Sequence, residues 1–135
     1  RDQLQKKLGF DLIVVKNGVF QPLFIQVKGR FKLHNNSNFI SDVRMKTFNA
    51  HHTYFIVGAY FNSSTFEIDN NLLFIPSEDV KKKGTVINSQ GDQRYRITTN
   101  ILNPKNSKWA KYIISKQELV EAILNKFDEM ERYLK

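Results

Sequence analysis

Apolar runs separated by turn residues divide the first third of the chain into two predicted strands and a leading helix. Residues 10–16 (FDLIVVK) and 20–29 (FQPLFIQVKG) flank Asn17–Gly18, a pair typical of a hairpin turn. Both runs are apolar at successive positions, which predicts burial on both faces of the sheet, as in a layered α/β domain. Leu4 and Leu8 have helical spacing, and Gly9 is a plausible end for a helix over residues 1–8.

The next segment predicts a helix and a buried strand. Ser41 is suited to cap a helix over residues 42–50, and residues 53–61 (TYFIVGAYF) have the composition of a buried strand. The resulting β-β-α-β order, with a right-handed crossover, places this strand in the same sheet as residues 20–29.

The rest of the chain predicts short elements and one long helix. We expect a strand at residues 72–75, a helix at 78–83 capped by Ser77 and ended by Gly84, a loop at 85–93, a strand at 95–99 and a turn at 103–107. Ser115 and Glu118 form a capping-box pattern. An apolar face follows at Val120, Ile123, Leu124, Phe127, Met130 and Leu134.

These elements predict one α/β domain over residues 1–135, with a mixed central sheet flanked by helices and a long C-terminal helix. A length of 135 residues suits one well-buried domain. No apolar run approaches the roughly 18 residues that span a bilayer, so no membrane partner is expected. The chain has no cysteine, which excludes disulfides, thiolate catalysis and cysteine-based zinc sites and fits the expected cytoplasmic location.

The positive charge is unevenly distributed. The chain carries a formal net charge of +8, and residues 16–52 hold six Lys or Arg against one acid. Such a concentration of positive charge attracts polyanions, which makes nucleic acid a candidate partner. No Gly-rich phosphate loop is present, which argues against a nucleoside triphosphate or a dinucleotide cofactor.

The residues with candidate chemistry lie on the first hairpin. If the loop is Asn17–Gly18 alone, Asp11 faces Phe24, whereas a loop over residues 17–20 makes Asp11 face Gln26. In both registers Asp11, Gln26 and Lys28 share one face, because side chains alternate along a strand. A carboxylate and an amide oxygen could hold Mg²⁺ or Mn²⁺ together with the backbone carbonyl of Val27, while Lys28 stabilises charge on a phosphate.

The run from Phe10 to Arg30 resembles the PD-(D/E)XK nuclease superfamily, whose signature is an Asp on one strand and (Asp/Glu)-x-Lys on the next. Here fourteen residues separate Asp11 from Gln26-Val27-Lys28, and glutamine in place of glutamate is similar to the variant found in Mrr-type restriction endonucleases. The resemblance covers about residues 1–61. It implies a core of one helix, a three-stranded meander, a helix and a further strand.

The resemblance also implies a function. It assigns metal binding to Asp11 and Gln26, a catalytic role to Lys28, and hydrolysis of DNA phosphodiester bonds with Mg²⁺ or Mn²⁺ as the activity, with RNA left open as a substrate. Cations that flank this site are expected to grip phosphates: Arg30, Lys32, Arg44 and Lys46. Gln26 departs from the two-carboxylate pattern, the predicted first helix offers only Asp2 as an acid, and two strands are evident before the helix instead of three.

Two other classes of function compete with the nuclease. The neutral Gln26 favours a catalytically degenerate module that binds nucleic acid on the same scaffold. The other is a structural or interaction domain whose C-terminal helix mediates assembly into a homodimer, although packing of this helix on its own domain is the favoured interpretation.

Overall fold

A five-stranded mixed sheet, here called the central sheet, forms the middle of the protein. The computed structural model describes residues 11–134, so the predicted helix over residues 1–8 and the side chain of Leu134 lie outside the described part. In spatial order the strands of the central sheet are β1 (Leu12–Val14), β2 (Leu23–Arg30), β4 (Tyr54–Asn62), β5 (Glu67–Pro76) and β8 (Ile113–Ser115).

A second, antiparallel sheet of three strands packs on the central sheet, in the order β3 (Asn38–Arg44), β7 (Asp92–Asn100) and β6 (Thr85–Ser89). Two α-helices complete the described fold, α1 (Ser77–Lys83) and α2 (Lys116–Leu134). Single 3₁₀ turns lie at Asn35–Ser37, Met45–Thr47 and Ala110–Tyr112. The predicted class, a mixed α/β fold with a long C-terminal helix, is confirmed.

Two hydrophobic clusters lie on opposite faces of the central sheet. One face packs against the second sheet and α1, with Trp109, Phe39 and Val80 in the shared core. The other face packs against α2, whose Phe127 is 1% exposed among Leu23, Ile25 and other side chains of the central sheet. The alternating side chains of each strand therefore supply two separate cores.

The parallel pairing of β2 with β4 agrees with the prediction. Phe24 pairs with Tyr54, and the register continues to Arg30 and Tyr60. The connection between these strands passes through β3 of the second sheet, not through a helix. The predicted helix over residues 42–50 is wrong: residues 38–44 alternate between core and surface, and they pair with β7 from Asn38 to Arg44. Pairing and burial of Phe39, Ser41 and Val43 outweigh the capping signal of Ser41.

The predicted loop over residues 85–93 is also wrong. This segment forms β6, a two-residue turn and the start of β7, with Ser89 opposite Asp92. Gln90 and Gly91 both have positive φ, 53° and 81°, as a type I′ hairpin turn requires. The β-branched residues Thr85 and Val86 favour the strand once β7 lies beside them.

The first hairpin uses the wider of the two predicted registers. Leu12 pairs with Ile25 and Val14 with Leu23; the pairing ends there, because the Asp11 N–H donates to the Ile25 carbonyl and does not continue the register to Gln26. Asn17–Gly18 forms a turn in which the Val19 N–H donates to the Lys16 carbonyl over 3.1 Å, and Gly18 has φ of 82°. Leu12 and Ile13 are about half exposed, so the predicted burial of this strand on both faces is wrong for β1.

The end of α1 and the start of α2 confirm their predictions, whereas the predicted cap of α1 at Ser77 is wrong. The Gly84 N–H donates to the Val80 carbonyl at the end of α1. Ser77 opens that helix, but its hydroxyl bonds to the backbone of His51 and does not cap it. At the start of α2 the Glu118 N–H donates to the Ser115 hydroxyl, and the Ser115 N–H donates to the Glu118 carboxylate. Within residues 11–134, no helix has the length and apolar character that crossing a bilayer requires.

Candidate functional site

Asp11 lies at the edge of β2, just before β1 begins. Its backbone N–H donates to the Ile25 carbonyl over 2.8 Å, and its Oδ2 accepts the Val27 N–H over 2.9 Å. The N–H and C=O of a strand residue point toward the same neighbouring strand. The Val27 carbonyl therefore faces the same edge of β2 as the Asp11 carboxylate, as the predicted pair of metal ligands requires.

Gln26 projects from the face of β2 that meets the second sheet. Its Oε1 accepts a hydrogen bond of 3.2 Å from the hydroxyl of Tyr54, a core residue of the neighbouring β4. Phe24, two residues earlier, packs against the same core. The amide of Gln26 is thus held in place by the scaffold, and its oxygen keeps a second lone pair for another donor or a cation.

Lys28 lies on the same face as Gln26, because side chains alternate along β2. Its neighbour in the parallel register is Gly58 of β4. A Cβ at position 58 would stand 3.0 Å from the Phe39 ring and from the Leu73 side chain. Glycine here allows the second sheet to pack closely on β4, at the position next to Lys28 in the register.

The donors available for a cation are oxygens of mixed type. Among the described residues, no three His, Asp or Glu side chains cluster so as to hold a metal ion. A metal at the predicted site would therefore depend on the Asp11 carboxylate, the Val27 carbonyl and the Gln26 amide. Hard oxygen ligands of this kind suit Mg²⁺, which retains several waters and tolerates few protein ligands. The donor chemistry fits the ion, while convergence of all three donors stays a prediction.

The four flanking cations predicted to contact nucleic acid occupy different positions. Arg30 bridges the two sheets, since its Nε donates to the Ile40 carbonyl over 3.0 Å and its side chain also reaches Ser41. Arg44 lies 3.3 Å from the Asp92 carboxylate. Lys32 lines an open groove of about 580 Å³ at the start of β3, and Lys46 lines one of about 420 Å³ beyond its end.

Two arginines that the sequence interpretation missed join this basic region. Arg96 forms a two-point ion pair with Asp42, with distances of 2.8 and 3.0 Å, and Arg94 lies opposite Arg44 in the register of β3 and β7. The hydrogen bonds from Arg96, together with the positive charges of Arg96, Arg94 and Arg30, hold the pKa of Asp42 below its ordinary value. Charged residues alternate at positions 92, 94 and 96, as on one face of a strand, and this pattern indicates a charged surface. The prediction of a loop over residues 85–93 obscured it.

Comparisons of the chain with models of protein families, with curated proteins and with solved structures found no match. The nuclease resemblance therefore rests on the hairpin residues and on their placement. That placement sets a carboxylate and a backbone carbonyl at one strand edge, with an amide and an ammonium on the adjacent face. Such an arrangement can bind a hard cation and an anionic substrate side by side.

Proposed function

We propose that this chain is a metal-dependent nuclease that hydrolyses DNA phosphodiester bonds, with Asp11, Gln26 and Lys28 as its reaction centre. The observation that carries the proposal is the contact between the Asp11 carboxylate and the Val27 N–H. It ties the aspartate of one strand to the Gln-x-Lys segment of the next at hydrogen-bonding distance. The resemblance implies a helix and then a further strand after the motif strand; the further strand corresponds to β4, which pairs in parallel with β2, whereas β3 stands in place of the helix.

The Asp11 carboxylate, the Val27 carbonyl and the Gln26 amide oxygen would hold Mg²⁺ or Mn²⁺. When bound, the ion supplies Lewis acidity toward a phosphate oxygen and lowers the pKa of water. Tyr54 fixes the Gln26 side chain through their hydrogen bond, so this donor is oriented before any ligand arrives.

Lys28 would bind the phosphate through its ammonium group. It lies two residues after Gln26 on one face, beside Gly58 in the register of β2 and β4, and its side chain is half-buried. A cation fixed at the rim of a packed core loses less of its field to water than an exposed one. Its expected role is to stabilise the negative charge that grows on the phosphate oxygens during hydrolysis.

The test is plasmid nicking with Mn²⁺ by wild-type protein and by the variants Asp11→Asn and Lys28→Ala. Asparagine retains an oxygen acceptor for the Val27 N–H but removes the charge, so the fold is expected to persist. Each variant should lose about 100-fold or more of the nicking rate, the range for removing one charge-stabilising group. Lys116→Ala, at the start of α2, removes a cation outside the site and should leave the rate unchanged.

Full activity in Lys28→Ala would remove that residue from the mechanism, and full activity in Asp11→Asn would refute the site. Circular dichroism of each variant separates a lost site from a lost fold. A nicking rate that is the same in the wild type and in every variant, and that does not follow the protein through purification, would identify a contaminating nuclease.

A non-catalytic module that binds nucleic acid is the second candidate. Gln26 is neutral and its oxygen accepts a hydrogen bond from Tyr54, while the Asp11 carboxylate accepts one from the Val27 N–H. Each proposed metal ligand therefore also has a structural role. Calorimetric titration with Mn²⁺ separates the two functions. Absence of metal binding, with DNA binding that weakens as salt increases, would favour the module.

A further inference from the structure

The outer face of the second sheet, meaning the face turned away from the central sheet, is rich in arginine. Phe39, Val43 and Ile97 point into the core, so the alternate residues of β3 and β7 point outward. Two cross-strand pairs follow one another there, Asp42 with Arg96 and Arg44 with Arg94. We call the group Asp42, Arg44, Arg94 and Arg96, with Arg30 at its side, the arginine face.

Carboxylates neutralise part of this surface but leave an excess of positive charge. Arg96 pairs with Asp42, and Arg44 pairs with Asp92 over 3.3 Å. Within residues 11–134, Arg94 lies within ion-pair distance of no carboxylate, and its Nε is buried without a hydrogen-bond partner. Because that nitrogen is buried, a ligand at the surface would contact Arg94 through its other guanidinium nitrogens. Arg94 adds a positive charge without a carboxylate partner among the described residues, and it lies between Asp92 and Arg96 on β7.

Further cations extend the arginine face at both ends of β3. Lys32 lines the groove before the strand, and Lys46 lines the groove after it. A strand of seven residues spans about 20 Å, at about 3.3 Å per residue. One strand of B-DNA carries a phosphate about every 3.4 Å along its axis, so this track matches several consecutive phosphates.

We propose that the arginine face binds the phosphodiester backbone of nucleic acid and that Arg94 makes a central phosphate contact. The proposal extends the proposed function, because it gives the nuclease or its degenerate counterpart a binding surface apart from the reaction centre. Arg30 connects the two, since it lies two residues after Lys28 on β2 and contacts β3.

The chemistry of the face favours phosphate over an apolar protein partner. Guanidinium groups present paired N–H donors that match two phosphate oxygens. The neighbouring outer positions carry the hydroxyls of Thr85, Ser89 and Thr98, which are common phosphate contacts, together with two apolar residues, Ile40 and Ile87. The buried centre of a protein interface is instead enriched in aromatic residues and depleted of charge.

The test is fluorescence anisotropy with a labelled 20-base-pair DNA duplex in EDTA, titrated over a series of NaCl concentrations. Arg94→Gln should raise Kd by about 10-fold at low salt. It should also reduce the slope of log K against log salt by about 1, as for the loss of one phosphate contact. Lys116→Gln, with the same change in charge on the opposite side of the central sheet, is the matched control and should change neither quantity.

Equal effects of Arg94→Gln and Lys116→Gln would overturn the proposal, since net charge alone would then explain binding. Displacement of the duplex by poly-glutamate with the same dependence on Arg94 would assign the face to an acidic protein and would also overturn it. Binding in EDTA does not require catalysis. If the wild-type protein does not nick DNA but binds it in a way that depends on Arg94, the nuclease proposal is refuted and this inference stands.

Discussion

Asp42 is the residue on which the charges of the second sheet converge. Its side chain is 17% exposed and pairs with Arg96, whose side chain is 38% exposed. Arg94 and Arg30 also lie close enough to lower its pKa. Asp42 therefore holds the Arg96 side chain in place and neutralises one positive charge, while the arginine face keeps a net positive charge.

The lowered pKa of Asp42 predicts a dependence of stability on pH. A carboxyl group with a lower pKa in the folded state stabilises the fold above its unfolded pKa of about 3.9. That stabilisation disappears as pH falls through the folded pKa. We expect Asp42→Asn to lower the free energy of unfolding by about 1 kcal/mol at pH 7, a value discounted for the exposure of Arg96.

The measurement is urea denaturation of wild-type protein and Asp42→Asn at a series of pH values from 7 to 2. The difference between the two proteins should shrink as pH falls below about 4, because protonation removes the charge that the substitution also removes. A difference independent of pH would show that the lost packing or hydrogen bonding, not the ionised carboxylate, is responsible.

The candidate site could be predicted from the sequence at the level of single residues, but only in part. Asp11 and the Gln26-Val27-Lys28 segment were identified, and the face shared by Gln26 and Lys28 follows from strand alternation. Two registers were open because Asn17–Gly18 suits either loop length. Only pairing of Leu12 with Ile25 selects between them, and the contacts of Tyr54 and Arg30 come from strands distant in sequence.

The capping box at the start of α2 is the element whose end the sequence predicted most directly. Both reciprocal hydrogen bonds between Ser115 and Glu118 are present, and Ser115 also closes β8 opposite Asn71. The backbone hydrogen bond from Ser115 holds the pKa of Glu118 below its ordinary value. Ser115 is therefore both the last residue of β8 and the cap of α2.

Ser115→Ala should lower the free energy of unfolding by about 1 kcal/mol, the usual cost of removing a helix N-cap hydroxyl. The strand pairing with Asn71 uses the backbone and is expected to persist. Gln117→Ala, an exposed change in the same helical turn, is the control. Urea denaturation measures both, and equal stabilities for Ser115→Ala and wild type would show that the cap contributes nothing.

The two elements that prediction missed have different physical causes. Residues 42–50 and 85–93 contain turn and cap residues that suit a helix or a loop when each segment is taken alone. In the fold, β3 pairs with β7 across a long gap in sequence that local pattern does not reveal, whereas β6 and β7 form a local hairpin through Gln90–Gly91, a turn that the loop prediction did not recognise.

Elements with a strong internal period, α2 and the apolar β4, were predicted at the right place in the chain. The predicted apolar face of α2 is wrong at Val120 and Leu124, which are about half exposed, while Leu119 and Ala122 pack against the core.

The part of the molecule that the structure describes, residues 11–134, has two hydrophobic clusters separated by the central sheet. The second sheet, with its arginine face, belongs to one cluster, and α2 belongs to the other. The reaction centre proposed at Asp11 lies at the edge strand of the sheet that both clusters share. A disturbance of α2 should therefore reach the arginine face only through the central sheet.

Phe127→Ala tests this separation, because Phe127 is the α2 residue buried most completely in its cluster. Loss of a buried phenyl ring should lower the free energy of unfolding by about 3 to 5 kcal/mol. Leu124→Ala, on the same helix but with Leu124 48% exposed, should change it by less than about 1 kcal/mol.

Hydrogen exchange under native conditions shows where the effect of Phe127→Ala is felt. Amides of α2 should lose protection first, because local opening of the helix no longer exposes a buried ring. Amides of β3 and β7 should keep protection up to the lower global stability, and DNA affinity in EDTA should stay at the wild-type value. Equal loss of protection in α2 and β7 relative to global stability would mean that the two clusters open as one unit, and the central sheet would then transmit every change in α2 to the arginine face.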